Sequence, residues 1–126
     1  MDEGLLVRKV WGEEWYITNR DEYAGKILYV KPGFVCSSHC HRLKDETFAC
    51  LSGRGVIEKN GEFINVQAGT IVPIPPGTWH RFASDIGMTL VEVSTRHSDD
   101  DVERKEESNQ LDKEKHAAIW EALGLP

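Results

Sequence analysis

GFVCSSHCHRLKDETFACLSG, residues 33–53, and GTIVPIPPGTWHRFAS, residues 69–84, are the two stretches whose reading decides the fold of this chain. In the first, His39 and His41 stand two apart at the end of an apolar run. In a strand such residues point to the same side, so two imidazoles share one face. Glu46 follows a short charged turn, Arg42 to Asp45. If that turn is a hairpin, the Glu46 strand lies beside the histidine strand and its carboxylate points inward. In the second stretch, His80 comes just after Pro75-Pro76-Gly77, a turn that fixes its position.

Working outward, the same rhythm of short runs and turns continues. Strands are expected at Trp15–Thr18, Lys26–Lys31, Phe34–Cys40, Thr47–Leu51, Gly55–Glu58, Glu62–Val66, Gly69–Ile74, Trp79–Ala83 and Met88–Ser94. Most of these runs are rich in β-branched or aromatic residues and end at Gly, Pro, Ser or Asn. Asn60-Gly61 is the strongest hairpin signal, because both residues tolerate positive φ. About nine short strands with no helical period between them predict an all-β sandwich or barrel and argue against a βαβ fold.

From Arg96 the composition shifts. Ser98–Gln110 is highly charged and almost free of apolar residues, and is expected to be a solvated arm or loop. Asp112–Leu123 recovers helix character, with Asp112 as cap, Ala117, Ala118, Ile119, Trp120, Ala122 and Leu123 as its apolar side, and Gly124 as C-cap. The expected organisation is a barrel over 1–95 with its core motifs in 33–84, an arm over 96–110 and a short helix in 111–126.

The 126 residues suit one domain. A net charge of −6, with 15 Lys and Arg scattered among 21 acids, argues against nucleic-acid binding, which needs clustered cations. No apolar run approaches the roughly 20 residues that span a bilayer. Residues 1–10 carry two acids and no long apolar segment, so no secretory signal is expected and a cytoplasmic location is the default. Cys36, Cys40 and Cys50 form neither a C-x-x-C pair nor an even framework, which speaks against a disulfide scaffold or a thiolate zinc site.

Chemistry therefore rests on His39, His41, Glu46 and His80. Three neutral imidazoles and one carboxylate suit a single divalent Mn, Fe, Co, Ni or Zn ion and do not suit Ca or Mg. Four protein donors on an octahedral ion would leave two positions open for water or substrate, the mark of a catalytic metal. Cys40, between two inward histidines, is expected to point away from them. Phe82 shares the parity of His80 and is expected near the pocket, with Trp79 and Arg81 on the other side and Tyr29 and Phe48 in the core. Lys26 and Glu92 are ionisable groups in apolar strands; a charge there usually faces solvent, and facing inward either becomes a candidate for proton transfer or substrate anchoring.

The spacing Gly33-x5-His39-x-His41-x4-Glu46-x6-Gly53 resembles the complete first motif of the cupins, and Gly69-x5-Pro75-x-Gly77-x2-His80 resembles the second, with Ser84 where Asn is usual. The resemblance implies a jelly-roll barrel with the metal inside one end, and it carries His39, His41, Glu46 and His80 over as ligands. A further resemblance runs through Lys26-x4-Lys31-Pro32-Gly33, His41-Arg42, Glu92-Val93-Ser94 and Asp99–Arg104. These look like the cupin domain of type II mannose-6-phosphate isomerases and of small sugar-isomerase cupins such as D-lyxose isomerases. After Arg104 the chain departs from that pattern.

The expectation is a metal-dependent sugar or sugar-phosphate isomerase with Glu92 and Lys26 as its candidates for proton transfer. Two other classes share the ligand set: an oxygen-dependent cupin dioxygenase or oxalate-type decarboxylase, separable by oxygen consumption, and a non-enzymatic binder of a sugar or metabolite, separable by binding without turnover. The expected partner is a small molecule such as a sugar, and a homodimer is expected because jelly rolls leave sheet edges and two-fold pairs are the commonest oligomers.

Overall fold

Turns placed by Gly, Pro and Asn divide the chain into strands that pair antiparallel throughout. The computed structural model describes residues 2–126. In chain order the strands are β1 (Leu6–Lys9), β2 (Gly12–Asn19), β3 (Ala24–Val30), β4 (Phe34–Val35), β5 (His39–Cys40), β6 (Glu46–Lys59), β7 (Glu62–Gln67), β8 (Ile71–Ile74), β9 (His80–Ser84), β10 (Met88–Ser94), β11 (Glu103–Arg104) and β12 (Asn109–Gln110). One helix, α1 (Ala117–Ala122), follows. No helix of the described residues is long and apolar enough to cross a membrane.

The strands curl into a barrel of two facing walls. One wall runs β1-β2-β3-β10-β6-β8; the other is built from β7, β6, β9, β4 and β12, with β5 on β9 and β11 on β5. Strand β6 belongs to both. Its first half pairs β10 and β8, and its second half pairs β7 and β9. The corner lies at Gly53, whose φ is +79° and where a Cβ would sit 2.1 Å from the Gly87 carbonyl oxygen. Only glycine fits that approach. The Ser52–Gly55 segment, which reads as a break between two strands, is thus a bend within one.

The hairpin at Asn60-Gly61 forms as expected, with φ of 48° and 83°, and sets the register of β6 on β7. The strand expected over Phe34–Cys40 is instead two short pieces, β4 and β5. The helix is shorter than its apolar pattern: the Asp112 carboxylate accepts N–H bonds from Glu114 and Lys115, capping a turn before α1 rather than α1 itself. Gly124, at φ +73°, closes the C-terminus.

Alternation along each strand fills the barrel. Leu28, Val30, Phe48, Ile57, Ile74, Phe82, Met88 and Leu90 are buried in one cluster, each contributing roughly 1.5–3 kcal/mol of transfer free energy. Ile119 and Leu123 dock α1 on Val35, Val56 and Ala83 in a second cluster. Cys36 and Cys50 are packed in the first cluster. Tyr29 departs from expectation: it is on the outer face, 41 % exposed.

The 96–110 segment also differs from a solvated arm. Glu103–Arg104 pairs with Cys40–His39, and Asn109–Gln110 pairs with Val35–Phe34. Most of its charged side chains are exposed while its backbone is tied down, so composition alone hides its order. It runs as a strap across the open end of the barrel.

Candidate metal centre

β5 and β9 are adjacent and place His39 directly opposite His80. His41 follows two residues after His39, and the chain then turns into β6 with Glu46 at its first position. The ring nitrogens of His39, His41 and His80 lie within 4.8 Å of one another, a grouping that could hold a metal ion. The Glu46 carboxylate joins them, its Oε2 3.2 Å from His41 Nε2 and 3.9 Å from His80 Nε2. Glu46 and His80 are 2 % and 1 % exposed.

Each imidazole is aimed by a backbone carbonyl. His39 Nδ1 lies 2.8 Å from the Ser37 carbonyl, His41 Nδ1 2.9 Å from that of Asp101, and His80 Nδ1 2.9 Å from that of Thr78. A carbonyl only accepts, so each Nδ1 carries the proton and donates, and each Nε2 is left with a lone pair. Burial holds all three rings below the usual imidazole range, with His41 at about 4, so they are neutral at pH 7. The result is three acceptor nitrogens turned toward the buried Glu46 carboxyl. Glu46 Oε2 and His80 Nε2 have no hydrogen-bond partner among the described residues. An unpartnered acceptor such as His80 Nε2 is costly at such depth, and a cation that also replaces the Glu46 proton removes the cost. The donor set therefore fits a transition-metal ion on its own geometry.

Burial pushes the Glu46 carboxyl up to about 8, helped by the charge of Glu92 and offset in part by Lys44 and Lys26. Glu92 is shifted the other way, to about 2: burial opposes its ionisation, and the ammonium groups of Lys44 and Lys26 overcome that opposition. Lys44 Nζ lies 2.6 Å from Glu92 Oε2 and 3.2 Å from His97 Nδ1. Lys26 Nζ lies 2.9 Å from Glu14 Oε1 and sits over the Tyr16 ring. Although burial works against its charge, Glu92 and Glu14 raise the Lys26 pKa above the ordinary lysine value.

Lys26 and Glu92 thus face inward rather than outward. They are directly paired across β3 and β10, side by side on the cavity wall. Lys44, which reads in sequence as part of an exposed charged turn, is 2 % exposed and completes this cluster. Its only sequence signal is its place between the two histidines and Glu46. Phe82 is near the site as expected, stacked edge-on against Trp11 and Phe48. Cys40 points away from it, while Trp79 and Arg81 turn to the outside, where Trp79 carries the Lys105 ammonium and Arg81 meets Glu58.

A cavity of about 920 Å³ opens above the histidines and is bordered by Lys26, Glu92, Tyr16 and, from the strap, Arg104. Arg104 is opposite His39 in the β5–β11 pair, and its Nη1 donates to Ser37 Oγ at 2.7 Å. The strap also sets His41: beyond its carbonyl bond to that ring, Asp101 accepts the N–H groups of Arg42, Leu43 and Lys44 on its carboxylate. Sequence reading missed this because the two partners lie 60 residues apart.

Comparison with known proteins follows the same lines. Two curated relatives are mannose-1-phosphate guanylyltransferases: RfbM of Salmonella typhimurium, 32 % identical over 115 residues, and that of Sinorhizobium fredii, 28 % identical over 87 residues. The matches cover 86 % and 68 % of this chain but 23 % and 17 % of those proteins, so the chain spans about a fifth of their length. Among solved structures, PAC13 from Streptomyces, determined with uridine, superposes with a TM-score of 0.72 at 17 % identity, covering 90 % of this chain and 91 % of that one. KdgF from Halomonas superposes with a TM-score of 0.67 at 17 % identity, covering 73 % and 84 %. At these identities the structures speak to the fold. The cupin domain model matches residues 26–93, which include all four residues around the centre and more than half of the chain. With barrel, histidine cluster and family match in agreement, the chain belongs to the cupin family.

Proposed function

We propose that this cupin is an enzyme that holds one divalent transition-metal ion with His39, His41, Glu46 and His80 and isomerises a sugar or sugar phosphate. The observation that carries the reading is the junction of two kinds of group in one cavity. Three aimed imidazoles and the Glu46 carboxyl lie at its base, and the buried Lys26–Glu92–Lys44 cluster lies on its wall. A bound ion would supply Lewis acidity toward adjacent carbonyl and hydroxyl oxygens. The chain's own residues do the rest. Glu92, ionised at neutral pH, offers a fixed acceptor for a proton that moves between neighbouring carbons. Lys26, kept protonated, is a donor to a substrate oxygen rather than a base. Arg104 at the rim presents guanidinium N–H groups suited to a phosphate or carboxylate. The curated relatives are named for an activity on mannose 1-phosphate, in keeping with a sugar phosphate as substrate.

The test is isomerisation of a panel of aldoses and aldose phosphates by Mn-, Co-, Ni- or Zn-loaded protein in D2O, followed by NMR. Turnover with deuterium appearing at the carbon next to the carbonyl supports the reading. Oxygen consumption, or tight sugar binding without turnover, would replace it with the oxygenase or the binder.

Metal loading carries a pH signature. Without metal the Glu46 carboxyl keeps its proton up to about pH 8, and a cation must displace it. Binding at pH 7 is therefore expected to release close to one proton. Apparent affinity should rise about tenfold per pH unit up to roughly pH 8 and level off above it. The imidazoles, which burial shifts down from the ordinary histidine value, add little competition there. Calorimetry in buffers of different ionisation enthalpy measures the proton count; zero at pH 7 would remove Glu46 from the ligand set.

A further inference from the structure

A fourth imidazole borders the cavity. His97 follows β10 in the 96–110 segment, and its side chain is 10 % exposed. Both of its ring nitrogens are engaged: Nδ1 lies 3.2 Å from the Lys44 ammonium and Nε2 lies 2.9 Å from Asp99 Oδ1. An ammonium only donates, so Nδ1 accepts and Nε2 carries the proton. This is the opposite tautomer to that of His39, His41 and His80. With neither nitrogen free, His97 is not a fifth ligand, although its ring centroid is 6.1 Å from that of His41. Burial and the charges of Lys26 and Lys44 hold its pKa below the ordinary histidine value, which keeps the ring a neutral acceptor.

The backbone of His97 is held as firmly as its ring. The Asn19 side chain accepts the His97 N–H at 2.9 Å and donates to the His97 carbonyl at 3.0 Å, with a further bond to Asp2. Tyr16 packs edge-on against the ring, with centroids 6.1 Å apart. A loop residue fixed through its backbone, both ring nitrogens and a ring face has one orientation to offer, and can hold a more mobile group in place.

The group it holds is the most flexible member of the cavity cluster. Lys44 enters from the turn before β6 on four methylenes, and it is 2 % exposed. Its ammonium lies 2.6 Å from Glu92 Oε2. Besides that carboxylate, the one acceptor the ammonium meets among the described residues is His97 Nδ1. A point charge on a long stem can follow any nearby carboxylate, so a second, fixed acceptor decides where it rests. The resting place of the ammonium in turn sets where the Glu92 oxygen lies. A base has to be within hydrogen-bond reach of the proton it takes, and a misplacement of about 1 Å can cost about 100-fold. We propose, resting on the isomerase reading above, that His97 is a positioning residue: it holds the Lys44 ammonium against Glu92 and so aims that carboxylate at substrate.

The experiment compares His97→Leu with His97→Asn. Leucine fills the space without an acceptor, whereas the asparagine Oδ1 stands as many bonds from Cβ as histidine Nδ1 does. Asn19 grips the backbone in both, so both are expected to keep the wild-type circular dichroism and metal content. In His97→Leu, kcat should fall about 10- to 100-fold with KM little changed, and His97→Asn should recover most of the loss. A second readout needs no substrate. In protein labelled with 15N at the lysine side chains, the Lys44 ammonium is expected to exchange slowly with water. His97→Leu should speed that exchange at least about tenfold, the equivalent of one hydrogen bond to a charged group, and His97→Asn should restore it. Wild-type kcat in His97→Leu, a loss confined to KM, an asparagine variant as impaired as the leucine one, or unchanged exchange at Lys44 would each overturn the proposal. A wild type that turns over no sugar removes the isomerase and the catalytic half of the proposal with it, while the exchange measurement still decides whether His97 is the anchor of Lys44.

Discussion

The double variant His39→Ala/His80→Ala is expected to purify essentially free of transition metal, where the wild type carries about one equivalent per chain. The two residues face each other across β5 and β9, so the variant removes opposing donors from one pair of strands. Loss of a group that merely orients a ligand costs about 10- to 100-fold in metal affinity, so loss of two donors is expected to cost at least ~10⁴-fold. Isomerase turnover should disappear with the metal. His80 is 1 % exposed, and truncation also leaves a cavity worth roughly 2–4 kcal/mol. The nearly volume-preserving His39→Gln/His80→Gln protein is therefore measured beside it. Elemental analysis with thermal unfolding reads both effects. Full metal occupancy in folded double variants would place the ion elsewhere and remove the basis of the catalytic reading.

Glu92→Gln should lose about 10²- to 10⁴-fold in turnover while its metal content stays at the wild-type level. The amide keeps the shape but neither ionises nor takes the proton. It also leaves Lys44, 2 % exposed, without its carboxylate 2.6 Å away, so stability falls as well. These effects are separable. In Glu92→Gln/Lys44→Met the unpaired ammonium is gone and much of the stability returns. If Glu92 acts only by holding Lys44, activity returns in the double variant together with stability. If it touches substrate, the double variant is stable and inactive. Wild-type turnover in Glu92→Gln alone would take this residue out of the mechanism.

Much of this was legible because strand parity and turn chemistry are local. His39, His41, Glu46 and His80 sit at spacings that bring them to one face, and the structure gathers them. Turn residues placed most strands to within a few positions. What stayed hidden depends on distant registers. Ser52–Gly55 looks like a turn, and only the neighbours that β6 exchanges on either side of Gly53 make it a bend. Lys26 and Glu92 sit in strands apolar at nearly every other position, so neither face declared itself inner; their side is fixed by pairing with each other, by the burial of Tyr16 and by the Lys26–Glu14 ion pair beside them. The charge of the 96–110 segment predicts a solvated arm, whereas the segment is held through backbone pairs and the Asp101 carboxylate, which composition does not record.

That strap makes the centre and the entrance one thermodynamic object. The Asp101 carbonyl fixes the His41 ring, and three residues further along the same segment Arg104 stands at the rim of the cavity. An ion that binds better when His41 is aimed must, by reciprocity, hold the segment in place more firmly, by the same factor. Occupancy at the base of the barrel is thereby felt at its threshold, and the chain presents an ordered doorway to substrate in proportion to how well its interior is furnished.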